Sequence, residues 1–152
     1  LKRRSYEGGI AMFDIHENGL IFIRMDDGED FYEKLSEVLD KYNVESGVIL
    51  NGIGMLRDFT IGWFNGEEYE KETISTPHEL VSLSGNISIL GNGERFVHIH
   101  TALAGPDRKL VGGHLFGGTV NNTVEMFIYI LEDIQLRRIQ KGSFRFLYGR
   151  YR

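Results

Sequence analysis

With 152 residues, a net charge of −5 and no cysteine, the chain is sized for a single domain (1–152) that has no disulfides, thiolate nucleophile or Cys-based zinc site. Hydrophobic residues make up 41% and charged residues 26%, which excludes a disordered or collagen-like chain. No apolar run approaches the ~18 residues of a membrane helix, and no basic-then-apolar leader opens the sequence, so the expected compartment is the cytoplasm and no membrane partner is expected.

In chain order, Ile21-Phe22-Ile23 reads as a short strand followed by a turn at Asp26-Asp27-Gly28. A helix is predicted from Asp30 to Tyr42, where Phe31, Leu35, Val38, Leu39 and Tyr42 form one apolar stripe. Asp30 and Glu33 have capping-box spacing. The rest reads as strands at Ser46–Asn51, Asp58–Phe64, Glu79–Leu90, Glu94–Ala104, Leu110–Phe116 and Thr123–Leu131, with a last strand around Phe144–Tyr148. Turns are expected at Asn65-Gly66, Gly91-Asn92-Gly93, Gly105-Pro106-Asp107 and Gly117-Gly118, and Gly52-Ile53-Gly54 is too short for a dinucleotide fingerprint and also reads as a turn. His16 and His78 fall in expected loops, and Trp63 is expected in the core or a subunit interface. One helix among many strands means an α+β fold, a largely antiparallel sheet.

Charge is unevenly distributed. Residues 134–152 hold six Lys/Arg and no acid, leaving 11 basic against 22 acidic residues elsewhere. The acidic balance argues against general nucleic-acid binding, which needs a basic face. The basic tail suits a neighbouring subunit or solvent better than phosphate. Arg137, Arg138 and Lys141 are the candidates if DNA or a protein partner is bound.

Three of the five histidines, His98, His100 and His114, lie within 17 positions. Period-2 alternation puts His98 and His100 on one strand face, and Val97, Ile99 and Leu103 on the other. If the following turn centres on Asp107, cross-strand partners sum to 214, so His100 faces His114 and three imidazoles converge. A turn centred between Pro106 and Asp107 would instead set Gly113 opposite His100. Three neutral imidazoles without thiolate suit Zn²⁺, and also Fe, Ni or Cu, and three ligands leave a position open for water or a small ligand. The bland reading is exposed sheet histidines bonded to their neighbours. A cupin would need Glu where Ala104 and Gly105 stand. Gly112 and Gly113 leave room for something to approach, with Thr101 beside them. Glu125 admits two roles: orienting a ligand or acting as general base for water at the metal, or pairing with an Arg.

The segments His98-Ile99-His100-Thr101-Ala102-Leu103, Gly112-Gly113-His114-Leu115 and Thr123-Val124-Glu125 resemble the signature of the PPC (plants-and-prokaryotes conserved) domain. Glu79–Gly85 resembles the stretch that carries G-R-F-E-I-L in plant members, with Thr76-Pro77-His78 in place of Gly-Arg-Phe. Arg24, Gly28-Glu29-Asp30 and Gly52-Ile53-Gly54 fit the earlier part of the pattern, and the likeness runs from Gly19 to Leu131. The resemblance implies a single compact α+β domain, an antiparallel sheet flanked by a few helices, that assembles as a homotrimer. Stand-alone prokaryotic members often carry a DNA-binding label. In plant members AT-hooks hold the DNA, and this chain has no Arg-Gly-Arg-Pro hook, only Lys2-Arg3-Arg4. The implied fold is also similar to that of acetolactate decarboxylase, whose three-His zinc makes a metal at His98, His100 and His114 the expectation here. Metal-dependent catalysis would then use Lewis-acid polarisation or water activation, with Glu125 carrying the proton.

Overall fold

Four of the five positions of the predicted stripe, Phe31, Leu35, Val38 and Leu39, are buried against the sheet along the single helix α1 (Phe31–Lys41) of a computed structural model that describes residues 12–152. Burying four such side chains is worth roughly 6–12 kcal/mol before entropy, against ~1 kcal/mol for a good cap, so the stripe fixes the helix and the cap sets its start. Asp30 is the N-cap, its carboxylate accepting from the Glu33 backbone N–H at 2.8 Å. Tyr42 lies just past the last turn, where its hydroxyl donates to Asp14 at 2.6 Å. Lys2-Arg3-Arg4 lies outside the described residues.

Among the described residues nine strands form one sheet: β1 (Phe13–Glu17), β2 (Leu20–Asp26), β3 (Gly47–Phe64), β4 (Tyr69–Ile74), β5 (His78–Ile89), β6 (Arg95–Ala104), β7 (Leu110–Ile130), β8 (Ile134–Lys141) and β9 (Phe144–Tyr151). All pairings are antiparallel except one parallel bridge from β5 to β8, Ile89 to Arg137. β3 pairs with β5 and β7, and β6 pairs with the same two strands, so four strands close a circuit. Leu56, Ile61, Leu80, Leu83, Ile99, Leu103 and Leu115 from those strands are buried in one core with the α1 stripe.

The expectation of a few helices is corrected to one among the described residues. Two predicted pairs of strands are single long ones. The expected turn at Gly52-Ile53-Gly54 lies inside β3, where Gly54 sits at φ +136° beside a register shift against β7. Gly117-Gly118 likewise lies inside β7, with Gly118 pressed against Phe59. Glycines here mark bulges, where backbones come close, rather than chain reversals. His16 is in β1, and β4 is a strand that the sequence reading lacked. His78 is buried at the start of β5, Nδ1 2.8 Å from the Thr76 carbonyl and the ring edge-on to Phe59, because Gly105 leaves space for it. Trp63 is 67% exposed and so is not core.

β5 and β6 approach so closely at Gly85 that a Cβ there would run into the His98 carbonyl. Gly85→Ala is expected to cost about 2 kcal/mol or more, a drop of roughly 4–8 °C in Tm at this size. Thermal unfolding followed by circular dichroism checks this, and an unchanged melting curve would refute the packing account.

Candidate metal centre

Alternation along β6 buries Ile99 and Leu103 and turns His98 and His100 to the opposite face. Across the hairpin His100 pairs with His114 and Ala104 with Leu110, the register in which partners sum to 214. One ring nitrogen from each histidine lies within 4.8 Å of the others, and the Nε2 atoms of His98 and His100 are 3.1 Å apart. Ligands of a tetrahedral zinc at ~2.0–2.1 Å stand roughly 3.3 Å from one another, so one pair is already at that spacing and the third ring has a short distance to close. An all-imidazole donor set of this size fits zinc or a similar divalent transition ion.

Two neighbours orient the rings. The Arg138 guanidinium donates to His98 Nδ1 at 3.0 Å and to Asn86 Oδ1 at 2.7 Å. Arginine can only donate, so His98 Nδ1 accepts, and a neutral ring carries its proton on Nε2, facing His100. The Tyr69 hydroxyl lies 3.4 Å from His114 Nδ1, and when that nitrogen is protonated the hydroxyl oxygen accepts and leaves Nε2 bare. Burial, followed by the charges of Arg138, His114 and His100, pushes the His98 pKa down to about 4. Burial, followed by His100, Lys71 and Arg138, brings His114 down to about 4 as well. A neutral ring keeps one lone pair at neutral pH, as metal ligation requires, and on His98 that lone pair is the one Arg138 holds.

The rings open into a cleft of about 750 Å³. β4 contributes Tyr69 and Lys71 to its walls, β6 Phe96, β7 Phe116, and the β8–β9 hairpin Arg138, Phe144 and Arg145. Of these, only Arg138 was singled out in the sequence, as part of a DNA or partner surface. β4 escaped notice because both its faces are polar or exposed, so apolar periodicity carries no signal there.

Other expected site residues stand apart from the cluster. Thr101 is on the buried face of β6, its hydroxyl donating to the Ser82 carbonyl at 2.8 Å, so alternation removes it from the ligand's vicinity. Gly112 and Gly113 do leave room, but for neighbouring strands: a Cβ would lie 2.6 Å from the Thr101 carbonyl oxygen and 2.5 Å from that of Gly62. Glu125 pairs in register with Arg24 of β2 and Ile53 of β3, eleven residues along β7 from His114, which at ~3.3 Å per residue is on the order of 30 Å. That distance excludes it from the chain's own histidine cleft and favours the arginine-facing alternative. Arg137 and Lys141 alternate with Arg138 on β8, so the three basic residues do not share one face.

The model of the Plants and Prokaryotes Conserved (PCC) domain matches residues 17–132. Among solved structures, a candidate DNA-binding protein from Bacteroides thetaiotaomicron superposes with a TM-score of 0.82 at 20% identity, covering 93% of this chain and 99% of that one. A plant- and prokaryote-conserved protein from Pyrococcus horikoshii gives 0.75 at 29% identity, covering 90% and 93%. A metal-containing protein from Archaeoglobus fulgidus gives 0.72 at 30% identity, covering 94% of each chain. No curated protein matches the sequence.

Because His98 and His114 are held near 4 against an ordinary 6.5, the unfolded chain binds protons first. Their contribution to stability is therefore complete above pH 6.5 and is lost as pH falls from 6.5 towards 4. In chelator-treated protein the urea midpoint should fall over this window, and less steeply in a His98→Gln/His114→Gln variant. An identical pH profile for that variant would contradict the assignment.

Proposed function

Since the chain belongs to the Plants and Prokaryotes Conserved (PCC) domain family, we propose that it is a homotrimeric metal-binding protein whose His98, His100 and His114 hold one divalent ion, zinc by preference, with a position open to a small ligand. The observation that carries this reading is the convergence of three ring nitrogens within 4.8 Å on a cleft wall. The metal-containing relative from Archaeoglobus fulgidus supports it. When bound, such an ion supplies Lewis-acid polarisation of an oxygen ligand or of water. The chain's own residues orient the rings through Arg138 and Tyr69, and the aromatic walls limit access of water. Exposed Leu50, Ile53 and Val81, on the neighbouring strands β3 and β5, offer apolar surface for self-association.

His98 must give up its Nε2 proton to act as a ligand. With the proton on Nδ1 the ring faces the guanidinium donor-to-donor, and the Arg138–His98 contact is lost. Arg138 thus opposes metal uptake, through this contact and through its charge. The DNA-binding reading, which candidate DNA-binding neighbours suggest, has less to carry it: the net charge is −5 and Arg138 is turned into the cleft.

Zinc titration of chelator-treated protein, followed calorimetrically, should give one site per chain, lost in His100→Ala and tightened several-fold in Arg138→Met. Undiminished stoichiometry in His100→Ala would sink the three-His site. Sedimentation equilibrium should give three times the 17.4 kDa chain mass, and a monomer would remove the trimer from the proposal.

A further inference from the structure

The cleft in front of the histidines combines two features that a bare metal site does not need. The first is positive charge on both sides. Lys71 Nζ stands 4.1 Å from the centre of the Phe116 ring, which lies 4.4 Å from His114. On the other side the guanidinium carbons of Arg138 and Arg145 stand 5.3 and 5.6 Å from the centre of Phe96. Among the described residues none of these three cations is in an ion pair, and Arg138 Nε is buried without an acceptor. Two acids, Glu67 and Glu68, also line the cleft; they lie on the exposed turn before β4, where their backbone N–H groups donate to the Asn65 side chain. Neither carboxylate forms an ion pair with any of the three cations.

The second feature is the aromatic wall: Phe96, Phe116, Tyr69 and Phe144 face a space of about 750 Å³, ample for a molecule the size of a substituted benzene ring. The cations sit over the Phe116 and Phe96 rings, so the cleft presents aromatic surface and positive charge side by side. Three cations against two exposed acids favour an anion, and the aromatic walls favour a ligand with a flat apolar body.

We propose that the ligand of this site is a small carboxylate with an aromatic or similarly flat apolar body, its carboxylate held by Lys71, Arg145 and Arg138. The inference rests on the metal-binding reading for its position beside the histidines, but its charge argument stands without the metal. Metal uptake separates Arg138 from His98 and frees its guanidinium for the carboxylate, so metal and anion strengthen each other's binding, and by linkage they do so by the same factor.

Benzoate is the probe, with acetate and benzyl alcohol as controls for the missing ring and the missing charge. Calorimetric titrations are run on zinc-loaded and on chelator-treated full-length chain. Benzoate is expected to bind at least about tenfold more tightly than either control, and Lys71→Met or Arg145→Met to weaken it about tenfold while the zinc stoichiometry stays at one per chain. Both substituted side chains are exposed, so the fold tolerates the change, and the zinc titration of each variant verifies this. Benzyl alcohol or acetate binding as well as benzoate, or either variant binding benzoate as well as the parent, would overturn the proposal. Absence of zinc uptake by the parent chain would overturn the metal reading alone. The chelator-treated titration then decides the anion inference by the same comparisons.

Discussion

The candidate site depends on one register. Pairing of His100 with His114 across the β6–β7 hairpin sets two imidazoles on directly opposed positions, and alternation adds His98 from the same face. A slip of one residue would place Gly113 opposite His100 and turn His114 to the buried side. That slip is opposed from behind the sheet, because Leu115 would leave the core if β7 moved, and Ile99 and Leu103 would if β6 moved. Each of those side chains is worth ~1.5–3 kcal/mol of burial, more than a cross-strand histidine contact can offset. The hydrophobic core thus holds the polar cluster in place from the opposite face.

The electrostatics follow from that placement. Half-buried rings beside cations stay neutral, which suits them as ligands and makes them poor partners for anything that needs an imidazolium. Burial first, and then the Arg138 guanidinium, keeps His98 neutral, while the same guanidinium occupies its Nδ1 and so resists a cation. Arg138 is placed there by β8, which joins the rest of the sheet through one parallel bridge to β5 and through side chains.

Much of this was legible in the sequence where a period was clean. The α1 stripe and the two faces of β6 could be read from spacing, because burial on one side forces the pattern, whereas the hairpin register stayed open between two turn centres. Glycine misled where it stood inside a strand. Gly54 and Gly118 read as turns, yet they allow β3 and β7 to run on past bulges, a role that depends on a neighbouring backbone the sequence does not reveal. β4 and the inward turn of Arg138 were invisible for a related reason: Tyr69 and Lys71 lie on a strand without an apolar face, and Arg138 looked like one more charge in a basic tail. Glu125 shows the converse failure. Its strand was read correctly, but sharing a strand with His114 says nothing of distance when that strand is 21 residues long.

The origin of the cleft's parts in the chain has a consequence for how such a protein can change. All three ring donors come from one hairpin, whereas the surrounding wall is drawn largely from β4 and from the β8–β9 hairpin, which lie before and after it in sequence. Substitutions or length changes in those outer segments can reshape and recharge the opening without touching the donors or the core behind them. Selection can therefore act on what the pocket accepts independently of the three histidines, and relatives that share the histidine hairpin need not share a ligand.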